Sequence, residues 1–217
     1  MRLAVESGDL RRKVRTHRSP FAVVFVVDNS YSIHADQMVE RVKGLALELL
    51  EDATARGDRV ALVCFKGGVP EGTVALPLTR SMAQAHQRLA EIPLSGRTPL
   101  ADALRRARLL LRQEVVKHRN AVPVLVLISD CLPTVPLRPG GDPLLDLLGE
   151  ARRLRTAKVV TVVADAMPPG GRSPSAAPQV AEAAGGVCIP FAELAPGVLK
   201  GFLAAGEEAS LGRRGPR

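Results

Sequence analysis

The sequence predicts an α/β fold: a doubly wound, mostly parallel central sheet flanked by helices. Three observations carry this expectation. The runs FAVVFVV (Phe21–Val27) and VPVLVLIS (Val122–Ser129) are apolar on both alternating faces, as buried parallel strands require. Segments of helical periodicity alternate with such runs along the chain. With 217 residues, 46% of them hydrophobic, there is material for a single large core.

The elements follow in order. Residues 1–20 form a basic lead-in with Arg2, Arg11, Arg12, Lys13, Arg15 and Arg18 against Glu6 and Asp9. A short helix is expected around Asp9 to Arg15. After the first strand the period changes. Met38, Val42, Leu45 and Leu49 mark a helix over residues 37–55, with Asp36 as its candidate N-cap. Gly57-Asp58 turns the chain into a second strand, Arg59 to Phe65, which Gly67-Gly68 ends. Thr73 to Leu76 is a weaker strand suited to a sheet edge. Helices are expected over 81–91 and 100–117, with Thr98 as N-cap and Pro99 at the first helical position of the latter.

The strand at 122–129 comes next, then a helix over 143–156 and a strand over 159–164. Breaker-rich residues 168–178, PPGGRSPSAAP, read as a loop. A short helix at 179–184, a strand at 187–190 and a helix at 195–208 complete a domain of residues 21–209. Residues 210–217 read as a flexible basic tail.

Composition narrows the function classes. Aromatic residues are 3% of the chain and tryptophan is absent, which disfavours a base-stacking surface. The net charge of +8 favours acidic partners, although an arginine-rich proteome gives the same balance. A nucleic-acid partner is therefore disfavoured. Cys64, Cys131 and Cys188 are odd in number, far apart and set in apolar surroundings. They fit buried thiols of a reducing compartment rather than a disulfide framework. No run reaches the length of a membrane span, and a cytoplasmic protein is expected. There is no GxxxxGK[ST] element, so no nucleotide binding by this chain is expected. His17, His34, His86 and His118 show no metal-ligand spacing, and no serine has an identifiable base.

The chemistry gathers at strand ends. Asp28 and Asp130 each follow a buried run, and in doubly wound sheets ligands collect at the carboxyl ends of the strands. Two carboxylates placed side by side repel unless a cation intervenes. Ser30 and Ser32 follow Asp28 at alternate positions, and Thr98 stands at the mouth of a helix. Carboxylates with hydroxyls form an oxygen-rich set suited to Mg²⁺, with Mn²⁺ or Ca²⁺ as alternatives. Taken singly, the serines equally suit turn or helix caps, and Thr98 suits an N-cap. Arg97, Arg105, Arg106, Arg108 and Arg112 are either an acceptor surface for an acidic partner or a solvated helix face. Asp165 ends another apolar strand near the rim and is not assigned as a ligand.

The ordered motifs DNSYS, GRTPL and ISD resemble the metal-ion-dependent adhesion site (MIDAS) of von Willebrand factor type A (vWA) domains. A closer similarity is to the C-terminal vWA domain of magnesium and cobalt chelatase D-type subunits. DLRRKVRTHRSP, RVKGLALELLEDA, DRVALVCFKG, PLTRS and GRTPLADAL carry it, over about residues 8–191. The resemblance implies a Rossmann-type three-layer sandwich and a metal held by Asp28, Ser30, Ser32, Thr98 and Asp130. It implies a non-catalytic protein–protein interaction module whose ion is completed by water or by a partner's acidic residue.

Its partners would be an AAA+ ATPase or chelatase subunits. The alternatives are a split D-type subunit of a chelatase that inserts magnesium or cobalt into a tetrapyrrole, and a scaffold with a non-functional site. Tyr31 and Ile33 depart from the family's glycine and methionine. Asn29, Tyr31, His34 and Arg97 are placed at the rim as partner contacts.

Overall fold

A computed structural model describes residues 19–28, 58–65, 72–81, 97–167 and 174–195, together with positions within 40–51, 83–87 and 197–202. The elements are β1 (Phe21–Val27), β2 (Arg59–Phe65), β3 (Gly72–Thr79), α1 (Leu100–Lys117), β4 (Val122–Ser129), α2 (Pro143–Thr156), β5 (Val160–Asp165), α3 (Ala177–Ala184) and β6 (Val187–Pro190). A 3₁₀ turn, Phe191–Glu193, follows β6.

The sheet has the order β3-β2-β1-β4-β5-β6. Only the β2–β3 pair is antiparallel. β1 sits in the middle and every one of its residues is buried, as its uninterrupted apolar run demands. Because strand side chains alternate between faces, β1 feeds two cores. Ala22, Val24 and Val26 join the apolar faces of α1, α2 and α3 on one side. Phe21, Val23, Phe25 and Val27 meet Leu47, Leu194 and Leu199 on the other. Full burial of a valine or leucine contributes about 1.5–3 kcal/mol, so this two-sided strand is the main anchor of the three-layer sandwich.

Several boundaries differ from the sequence expectation. β3 runs from Gly72 to Thr79, longer than the weak central stretch, because pairing with β2 continues to Val60↔Thr79. It is the edge strand expected, and Pro77, which donates no ladder bond, is exposed there. β5 is shifted by one and takes in Asp165, which pairs with Ser129 of β4. The helix α3 begins at Ala177, inside the stretch read as a loop, since Pro178 is tolerated in a first turn. Cys188, expected to be buried, is exposed on the edge strand β6; Cys64 and Cys131 are buried as expected.

Thr98 does not cap α1. Pro99 occupies the N-cap, with φ −78° and ψ 58° and no side-chain cap bond. Thr98 lies one residue earlier, where its N–H donates to Thr134 Oγ1 (3.0 Å) and its carbonyl accepts from Thr134 N–H (3.1 Å). By contrast α2 has a side-chain cap: Asp142 accepts from Leu144 N–H and Leu145 N–H at 2.8 and 3.0 Å.

Gly186 is required by space, because a Cβ there would lie 2.2 Å from the Thr161 carbonyl oxygen. The described positions within 40–51 and 83–87, and residues 197–199, 201 and 202, are helical, in line with the periodicity. The basic lead-in up to residue 18, the expected cap at Asp36, the Gly67-Gly68 turn and the tail at 210–217 lie outside the described residues.

Candidate metal centre

The strand order reverses direction at β1 and β4: the chain goes from β1 outward to β2 and β3, then returns to β4 and proceeds the other way. A crevice at such a switch point, beyond the carboxyl ends of the two strands, is where doubly wound folds place ligands. Asp28 and Asp130 stand at these two ends. The register Val27↔Ile128 brings the strand ends level, and the Asp28 N–H continues the ladder to the Ile128 carbonyl at 2.9 Å.

Asp28 is buried. The Ser129 hydroxyl donates to Asp28 Oδ2 at 2.7 Å, and Ser129 Oγ accepts from Cys131 N–H at 2.9 Å. A fully buried serine thus ties the end of β1 to the turn after β4. Asp130 Oδ1 accepts from Leu132 N–H (3.0 Å), while its carbonyl accepts from the Ser175 hydroxyl (3.1 Å). Cys131, between them, holds a left-handed backbone with φ 54°, and burial pushes its thiol up so that it stays protonated.

Burial raises the Asp130 carboxyl above its usual range, and the negative charges of Asp28 and Asp165 push the same way against the amide bond from Leu132. Asp28 and Asp165 stand at the ends of the strands on either side of β4, one on each flank of Asp130. Thr98 is buried and is fastened through Thr134 to the segment that follows Asp130. The structure brings Asp28 and Asp130 to adjacent strand ends and ties Thr98, through Thr134, to the segment that follows Asp130. Ser30 and Ser32, and the rim positions Asn29, Tyr31 and His34, lie outside the described residues. Arg97 is exposed next to Thr98.

Among the described residues no group of three or more histidine, cysteine or acidic side chains has metal-holding geometry. The donor set would have to draw on hydroxyls, and carboxylate with hydroxyl oxygen suits a hard divalent cation. Asp28, Thr98 and Asp130 fit that description.

Sequence reasoning passed over Ser129, Thr134 and Ser175. Ser129 carried a usable signal: it is the one hydroxyl closing an otherwise apolar strand, and a polar group buried there needs partners. Thr134 and Ser175 act through long-range backbone contacts, which local pattern does not reveal.

A von Willebrand factor type A domain model matches residues 23–132, from within β1 to just past Asp130. The chain belongs to this family. An uncharacterized protein of Mycobacterium tuberculosis is 40% identical over 136 residues, covering 63% of this chain and 21% of that protein. The magnesium-chelatase 60 kDa subunit of Rhodobacter capsulatus is 32% identical over 168 residues, covering 75% and 29%. The chain thus spans less than a third of the length of these relatives.

Among solved structures, the SpRpn10 VWA domain superposes with a TM-score of 0.57 at 15% identity, covering 81% of this chain and 90% of that one. At that identity the likeness concerns the fold. It agrees with the vWA-type sandwich seen here.

Proposed function

We propose that this vWA domain is a non-catalytic, Mg²⁺-dependent docking module, with Mn²⁺ or Ca²⁺ as substitute ions, serving a separate AAA+ ATPase. The observation that carries the reading is the convergence of Asp28 and Asp130 at the switch point, with Thr98 tethered to the segment after Asp130. Asp28, Thr98 and Asp130, with Ser30 and Ser32 from the segment after β1, would hold the ion.

When bound, the ion would offer a Lewis-acidic position to a carboxylate of the partner. Two aspartates neutralise one divalent cation without excess, and hydroxyls add no charge, so an incoming acidic ligand is electrostatically acceptable. Ser129 fixes the Asp28 carboxylate from behind, and an oriented outer partner of this kind tunes the ligand it holds.

A second reading has its own support. Similarity to magnesium-chelatase subunits favours a split D-type component of an assembly that inserts magnesium or cobalt into a tetrapyrrole. The same docking chemistry would then operate between chelatase subunits. A scaffold whose site holds no metal is the third case.

Capture of partners from native lysate with Mg²⁺ or with EDTA, using wild type and Asp28→Ala, separates these readings. Retention of an AAA+ ATPase or a chelatase subunit only by wild type in Mg²⁺ supports the metal bridge, and the protein retained decides between the first two readings. Equal retention in all arms removes the metal bridge and leaves a plain adaptor.

A further inference from the structure

The outer surface of α1 and α2 carries an unusual arrangement of arginines. Buried Asp102 is bonded by both Arg105 (2.6 Å) and Arg106 (2.7 Å). Glu150, with no exposed surface, is shared by Arg108 (3.1 Å) and Arg153. Each carboxylate therefore faces two guanidiniums. A guanidinium has five N–H donors; Arg105 and Arg153 each bond these carboxylates through a single nitrogen.

Between the helices lies a cavity of about 310 Å³ whose walls include Arg105, Arg138, Arg153, Leu145 and Asp146. Asp146 accepts from Leu137 N–H at 2.7 Å, so its charge is directed into the loop before α2. Arg138 is exposed, and no ion pair links its guanidinium to another described residue. Three arginines (105, 138 and 153) meet two carboxylates (146 and 150) in the wall of this cavity. Leu145, 64% exposed, forms an apolar lip on it.

Position matters as much as charge. α1 begins two residues after Thr98, and the segment from Asp130 to Asp142 runs from the candidate metal centre into α2, carrying Arg138 on the way. The loop that carries Arg138 therefore links the cavity wall to the end of the sheet where Asp130 stands.

We propose that the α1–α2 cavity is a second docking site, taking an acidic partner segment that sets carboxylates against Arg138 and Arg105 and an apolar side chain against Leu145. The inference rests on the docking role proposed above. It makes the interface bipartite, with one contact at the metal and one that is independent of metal. Exposed arginine beside an apolar lip selects carboxylates interleaved with leucine-like side chains, because desolvation by the apolar contact strengthens the neighbouring ion pairs.

The test is fluorescence anisotropy with a labelled synthetic peptide of alternating glutamate and leucine, at low ionic strength in EDTA. Matched peptides carry serine for leucine or lysine for glutamate, and a short RNA serves as a second polyanion. Arg138→Glu and Leu145→Glu are each expected to weaken the glutamate–leucine peptide about tenfold. Arg119→Glu, the same charge change beyond the far end of α1, should leave its affinity within about twofold. Both target positions are exposed, and thermal melts confirm that the variants fold.

Equal weakening by Arg119→Glu would mean diffuse attraction and overturn the proposal. So would equal binding of the serine peptide, or RNA binding with the same dependence on Arg138. Loss of the cavity effect alongside intact Mg²⁺-dependent partner capture fails this inference only; the reverse outcome fails only the metal bridge.

Discussion

Two groups of carboxylates in this molecule are treated in opposite ways. On the helical layer, Asp102 and Glu150 are each met by two arginines. At the carboxyl edge of the sheet, Ser129 donates a hydroxyl to Asp28 and Leu132 donates an amide to Asp130, while Asp28 and Asp165 push against the Asp130 charge. The first arrangement neutralises charge within the chain and supports the fold. The second concentrates negative charge at a crevice, where a cation from outside gains most. The contrast separates acids paired with arginines inside the chain from acids that the proposed function assigns to a ligand.

The largest expected effect lies on the helical layer. Glu150→Ala removes the buried partner of Arg108, whose side chain is only 19% exposed, whereas Arg153 at 61% can turn to solvent. Breaking one side of a buried pair is strongly destabilising. With one of the two guanidiniums free to rehydrate, the loss is expected near the lower end, about 3 kcal/mol. For a domain of this size that corresponds to a fall in Tm of about 6–12 °C. Urea titration followed by circular dichroism measures it. A loss well under 1 kcal/mol would show that Glu150 is not supporting the fold, and the contrast between the regions would collapse.

Ser129→Ala comes next and tests the sheet edge. The substitution removes the donor to Asp28 Oδ2 and the acceptor of the Cys131 amide, both in a buried setting. Loss of such a group costs about 1–3 kcal/mol. If Ser129 also orients Asp28 for an ion, the thermal shift produced by Mg²⁺ should shrink in the variant beyond what its lower baseline explains. An unchanged Mg²⁺ shift would reduce Ser129 to a purely structural role.

How much of this could be read in the chain itself depends on the range of the interaction. β1, β2, β4 and β6 were legible to the residue because continuous apolar runs bounded by polar residues or turns are local signals. Asp28 and Asp130 were legible as a pair because both terminate such runs. The N-cap expected at Thr98 was not legible correctly, since the chain enters α1 through Pro99 while the Thr98 backbone bonds Thr134, thirty-six residues away in sequence. The shared use of Asp102 and Glu150 by two arginines each was half visible. Asp102 with Arg105 and Arg106 follows helical spacing, but Arg108 reaches Glu150 across two packed helices.

The smallest effect has the opposite sign and is the sharpest test of the sheet edge. Asp130 has a folded-state pKa above the usual aspartate value of 3.8, chiefly through burial, with Asp28 and Asp165 adding to it. A raised carboxyl pKa means that the ionised form lowers stability at every pH above the folded value. That penalty is relieved as pH falls through the folded value towards 3.8, below which both states are protonated and nothing further is gained. Asp130→Asn keeps an acceptor for Leu132 N–H but has no charge to penalise.

In EDTA the variant should therefore melt slightly above wild type at neutral pH, and the advantage should fade as the pH is lowered towards 4. Mg²⁺ should reverse the order, raising the Tm of wild type but not of the variant. For wild type that response should grow as pH rises through the Asp130 pKa and the carboxylate becomes available. Differential scanning calorimetry across pH, with and without Mg²⁺, reads all three trends. A variant less stable than wild type in EDTA at neutral pH would mean that Asp130 supports the fold as Glu150 does, and the sheet edge would lose its distinction from the helical layer.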